Sequence, residues 1–161
     1  MCQDVHDEVG TGIPVPGIFT GILWIYDQCG ATAEEIDVFQ KVLCAIRDQL
    51  QSEGATHDQL RKARIIFTKD GSYKVNARDR NVRGAYERHI VFPMDILRKL
   101  EREWMYAAFS EELCHHIWNI DDEVRVKYKN AEILSRIFPE YNIYAKMIDE
   151  NNATVCMDIG Q

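Results

Sequence analysis

Residues 93–118 read PMDILRKLEREWMYAAFSEELCHHIW, and the rest of the chain is understood outward from this stretch. Pro93 can open a helix, because its fixed φ and missing N–H are harmless at the first helical position. The pattern predicts one long helix over 93–118. At 100° per residue, Leu97, Leu100, Trp104, Ala107 and Ala108 fall within one arc of about 100°, the expected core face. The same arc continues through Glu111, His115 and Trp118, so an apolar stripe runs into a carboxylate and an imidazole. A charge on a core face is costly unless it is paired, neutralised or bound to a metal. Glu111 and His115 are also i and i+4, which stacks their side chains one above the other.

Upstream, 64–69 and 72–77 flank Asp70-Gly71, a dipeptide suited to the type I′ turn because both central residues need positive φ. These predict a β-hairpin, with a charged loop over 78–83 and a third strand over 86–92. Thr32 and Glu35 have capping-box spacing. Ile36, Phe39, Leu43, Ile46 and Leu50 then form the apolar stripe of an amphipathic helix that Ser52-Glu53-Gly54 ends. Residues 1–31 are an irregular lead-in, in which 18–26 reads either as a strand or as a buried helical turn. Downstream, a break over 119–122 precedes a helix through Val124, Tyr128, Ala131 and Leu134 that Pro139 stops, and 141–148 suggests a last one. The expectation is a single α+β domain over 1–161, with three antiparallel or mixed strands packed on the 93–118 helix.

With 161 residues, 46% of them apolar and 28% charged, the composition is that of a globular chain. A net charge of −7 argues against a non-specific nucleic-acid binder. The middle third is nonetheless locally basic, with Arg61, Arg64, Arg78, Arg80, Arg83 and Arg88 forming either a solvated loop and strand face or a contact for nucleic acid or an acidic partner. Five cysteines without a Cys-x-x-Cys pair indicate neither a disulfide framework nor a zinc ribbon. Cys44 and Cys114 lie in apolar helical patterns and are expected in the core. The start of the chain is acidic where a secretory signal would be basic and then apolar. The apolar run from Ile22 to Tyr26 is far short of a membrane span. These features predict a cytoplasmic protein with no membrane partner.

The segment Glu111-Glu112-Leu113-Cys114-His115 matches the zinc-peptidase signature H-E-x-x-H at every fixed position except the first. That signature works because two ligands at i and i+4 grip one metal while the Glu at i+1 serves as general base. The sequence here resembles the zincin metallopeptidases, specifically small gluzincin-like domains of the ImmA/IrrE type, over roughly 58–138. His116-Ile117-Trp118 is similar to their apolar continuation, and Ala131-Glu132-Ile133-Leu134 to their backing helix. The resemblance implies a zincin-like fold, a peptide or protein substrate, Glu111 and His115 as metal ligands and Glu112 as base. It nominates a third ligand in two ways: Asp121, six residues after His115, is favoured on spacing, and Glu132 on the backing helix is the alternative.

Glu111 in place of His makes the set harder and more anionic than the usual catalytic zinc site. Zinc follows from the resemblance, with manganese or iron(II) as alternatives. The different-class alternative is a non-catalytic interaction or regulatory domain in which Glu111 and His115 form a buried polar network. Glu112 and His115 also make a Glu-x-x-His unit of the di-iron carboxylate kind, but such bundles need a second unit and the chain has none. His116, about 100° from His115, is expected to be partly exposed or to support the site from behind.

Overall fold

A computed structural model describes residues 13–73 and 88–139. The first strand, β1, is Leu23–Asp27, following a single 3-10 turn at Gly17–Phe19. It leads into α1, Ala33–Ser52, whose start has the expected capping box. The Thr32 hydroxyl accepts from the Glu35 amide at 3.2 Å, and the Glu35 carboxylate accepts from the Thr32 amide at 2.8 Å. At the other end Gly54 takes φ +72°, with its N–H bonded to the Gln51 carbonyl and that of Ala55 to the Leu50 carbonyl. This is a Schellman motif, in which a left-handed residue satisfies the last carbonyls of the helix.

Strand β2, Ala63–Thr68, is buried along its whole length and lies between β1 and β3, Arg88–Pro93. All pairings are parallel, with Ile25 opposite Ile65 and Ile65 opposite Ile90. The antiparallel or mixed sheet and the hairpin expected at Asp70-Gly71 are therefore corrected. A type I′ turn needs positive φ at both central residues, and here Gly71 has it while Asp70 does not. Instead the Gly71 amide donates to the Thr68 hydroxyl and the Ser72 amide to the Asp70 carboxylate. These side-chain turns bend the chain locally without returning it along β2. Ser72 and Tyr73 are not in a strand, and the expected strand residues 74–77 lie outside the described residues, as do the loop 78–83 and the last helix 141–148.

The predicted 93–118 helix is two helices, α2 at Met94–Leu97 and α3 at Arg102–Ile117. Arg98 turns back to α1, where its guanidinium pairs with the buried Glu35 carboxylate at 2.7 Å and also reaches the Gly30 carbonyl. Glu101 then restarts the chain in extended conformation as the N-cap of α3. The final helix, α4, is Glu123–Ile137, capped by the Asp122 carboxylate, which accepts from the Arg125 amide at 2.7 Å. Among the described residues no helix is long and apolar enough to cross a membrane.

Helices α1, α3 and α4 pack on one another and, with the sheet, enclose one core. Its centre is four fully buried rings from four different elements: Phe39 of α1, Phe67 of β2, Phe92 of β3 and Phe109 of α3. Every pair among them has ring centroids between 4.9 and 6.1 Å apart. Cys114 is buried as expected, and burial pushes its thiol pKa up to about 12. Cys44 is only half-buried.

The Glu35–Arg98 pair predicts a pH dependence. The Arg98 guanidinium holds the Glu35 carboxyl below the usual carboxylate value, against the opposing effect of burial. A carboxyl lowered in the folded state adds stability that is fully present above its unfolded pKa and is lost as pH falls through the folded value. Glu35→Gln should therefore cost about 1–2 kcal/mol at pH 7, the pair being partly open to solvent on the Arg98 side. The cost should shrink as pH drops below about 4.3, the unfolded carboxyl value. Urea unfolding at pH 7 and pH 3 measures both; an equal loss at the two values would contradict the assignment.

Candidate metal centre

The core face of α3 is rotated from the one expected. Tyr106, Phe109, Ser110, Leu113, Cys114 and His116 are buried, whereas Leu100 is 38% and Trp104 41% exposed. The expected stripe is instead the wall of a cleft of about 460 Å³, lined by Leu97, Leu100, Trp104, Ala107, Ala108 and Glu111 on one side. Val91, Phe92 and Pro93 of β3 and Lys127, Asn130 and Leu134 of α4 complete it. Tyr128, on the helical repeat of α4, is exposed.

Glu111, on the cleft lining, meets His115 of its own helix and Glu123 from the first turn of α4. One ligand atom from each lies within 4.8 Å of the others. His115 Nε2 stands 3.7 Å from a Glu123 carboxylate oxygen. On the far side of the ring, His115 Nδ1 lies 2.6 Å from the Ile120 carbonyl. A carbonyl can only accept, so Nδ1 carries a proton and donates to Ile120, which turns Nε2 toward the carboxylates. That is the arrangement in which a second hydrogen bond fixes the tautomer of a ligating histidine.

Burial pushes the pKa of the Glu111 carboxyl upward, opposed by the Lys127 ammonium and reinforced by the Glu123 carboxylate. The Asn130 amide donates to it at 3.4 Å and to the Ala107 carbonyl at 3.1 Å. Asn130 itself is 2% exposed, and its carbonyl oxygen has no hydrogen-bond partner among the described residues. A half-buried carboxylate beside a second carboxylate is unfavourable by itself and is relieved by a proton or a cation. Two carboxylates and an imidazole nitrogen are ligands that zinc, manganese and iron(II) all accept. On these grounds the residues fit a divalent ion.

Of the residues expected at the site, Glu111 and His115 are brought together. Glu112 is exposed and lines the cleft beside Glu111. Asp121 is exposed and lies outside the three-residue group. Glu132 is on α4 but is held on the side facing α1, 2.6 Å from the Lys129 ammonium and 3.3 Å from the Gln49 amide. The residue that joins the pair is Glu123, which by sequence reads only as part of an acidic cluster at a helix start. Its signal is positional: the first turn of α4 follows a tight turn after α3, which returns that carboxylate to the last turn of α3.

His116 is buried rather than partly exposed, with 4% of its surface accessible. Its Nε2 lies 3.1 Å from the Arg61 carbonyl, and its other ring nitrogen is buried without a partner among the described residues. Burial lowers the pKa of this imidazole, which keeps it neutral.

No family model matches the chain, and neither the curated proteins nor the solved structures compared with it give a match.

Proposed function

We propose that the protein is a zincin-like, metal-dependent hydrolase acting on peptide or protein substrates at a centre formed by Glu111, His115 and Glu123. The observation that carries this reading is the orientation of His115, whose Nε2 is aimed at two carboxylates by the bond from Nδ1 to Ile120. The ligand order supports it too: two donors one helical turn apart on α3 and a carboxylate from the next helix. The parallel sheet departs from the expected hairpin arrangement, so the likeness rests on the helices.

A bound divalent ion supplies Lewis-acid polarisation of a carbonyl oxygen. The chain's own residues supply the rest. The apolar cleft walls receive a hydrophobic part of the substrate and exclude water from it, with Trp104 at the rim. The Glu112 carboxylate, exposed on the cleft lining, would take up and return a proton. Lys127 offsets charge beside Glu111.

Glu112 separates hydrolysis from the non-catalytic alternative. Glu112→Gln should reduce peptide hydrolysis by about 100-fold or more, the scale of general acid–base catalysis. Metal content should be unchanged, because Glu112 is not in the ligand group. Cleavage of a library of peptides with apolar side chains, read by mass spectrometry alongside metal analysis, makes the test. Metal-loaded wild type without any cleavage would favour the interaction domain, and metal lost from the variant would contradict the role given to Glu112.

A further inference from the structure

We infer that Asn119, gripped by Arg61 and Arg88, is the positioning residue that aims the His115 imidazole, an assignment that rests on the metal-centre reading above.

Helices α1 and α3 end in the same motif, and the difference between the two ends carries the argument. In each, a left-handed residue follows the helix, and its own amide and the next one bond back to the last turn. At α1 the left-handed residue is Gly54, for which positive φ has no steric cost. At α3 it is Asn119, the one non-glycine residue with positive φ among the described residues, at φ 52°. Asparagine tolerates this conformation but less readily than glycine. What glycine lacks is a side chain. The Asn119 carbonyl oxygen accepts from the Arg61 guanidinium at 2.9 Å and from that of Arg88 at 3.0 Å. Those arginines stand just before β2 and at the first residue of β3, so the turn after α3 is tied to one end of the sheet.

The next residue, Ile120, is buried and bonds to His115 twice. Its amide donates to the His115 carbonyl at 3.0 Å, and its carbonyl accepts from His115 Nδ1 at 2.6 Å. Arg61 contributes a second tie, because its backbone carbonyl accepts from His116 Nε2. The last turn of α3 is thus held on both of its histidines. Moving the turn moves the Ile120 carbonyl, and with it the group that selects the Nδ1–H tautomer and leaves Nε2 free to bind.

Three variants separate positioning from bulk stability. Asn119→Gly keeps the left-handed turn and loses both arginine contacts. Asn119→Asp keeps an acceptor for both. Arg61→Gln with Arg88→Gln removes the grip from the sheet side while leaving Asn119 in place. The tautomer of His115 is read by long-range proton–nitrogen NMR on the metal-free protein, and affinity by cobalt(II) titration. Wild type and Asn119→Asp should hold the Nδ1–H form. Asn119→Gly and the double arginine variant should populate Nε2–H and bind cobalt(II) roughly 10–100-fold more weakly, the usual cost of losing an outer partner of a metal ligand. A His115 that stays wholly Nδ1–H in both of those variants, with unchanged affinity, overturns the inference. If wild type binds no cobalt(II), the metal-centre reading fails, while the tautomer shift still decides whether Asn119 orients the ring.

Discussion

Phe109→Ala is expected to lower the unfolding free energy by about 3–5 kcal/mol, the range for truncating a fully buried phenylalanine. The ring has no solvent exposure and touches Phe39, Phe67 and Phe92, which come from three other elements. Two of these contacts are edge-to-face, worth roughly 0.5–1.5 kcal/mol each beyond the area they bury. The neighbouring rings are held by β2, β3 and α1 and cannot collapse into the space left behind. For a domain whose total stability is about 5–15 kcal/mol, this is a large fraction. Urea unfolding should show a lower midpoint with an unchanged slope, and Tm should fall by roughly 10 °C. A loss below about 1 kcal/mol would mean that the four-ring cluster is not where α3 is anchored to the sheet.

Glu123→Ala should weaken divalent-metal binding by more than the 10–100-fold typical of outer partners, since it removes one of three ligand groups. Asp121→Ala, two residues earlier, should leave affinity unchanged within error. Both residues are exposed and acidic, so their contributions to the general field are alike, and the contrast isolates geometry. The carboxylate of Glu123 is 3.7 Å from His115 Nε2, whereas that of Asp121 is not in the group. Competition with a chromophoric chelator measures each. The reverse ranking would show that ligand spacing along the chain, rather than the start of α4, chooses the third ligand.

What was legible in the sequence was local. The Thr32–Glu35 box, the stop at Gly54, the strands around 64–69 and 86–92 and the break after Trp118 each depend on a few adjacent residues, and all are present. What was not legible depended on distant partners. Asp70-Gly71 carries a hairpin signal, but the Thr68 hydroxyl and the Asp70 carboxylate capture the amides and the strands run parallel. The helix read over 93–118 ends at Leu97 and restarts at Arg102, and the Arg98 side chain between the two pairs with Glu35, 63 residues earlier. Helix α3 is apolar on two faces, and the four-ring core takes the one bearing Phe109, leaving the Trp104 face to line the cleft.

The candidate site was legible to the same extent. Glu111 and His115 share one helix, and their i, i+4 spacing brings them together without any knowledge of the fold. Glu123 depends on the path of the turn at Asn119, which is held by Arg61, just before β2, and Arg88, the first residue of β3. Spacing alone pointed to Asp121, and the turn passes that residue before α4 begins.

Metal stoichiometry tests the central claim most directly. The full-length protein is dialysed against micromolar zinc, manganese or iron(II), the last without oxygen, and is assayed by elemental analysis beside Glu111→Ala and His115→Ala. The account predicts one ion per wild-type chain and loss of that ion in both variants, with the circular-dichroism spectrum of each retained. A wild-type chain that binds none of the three ions, while both variants fold normally, would contradict it.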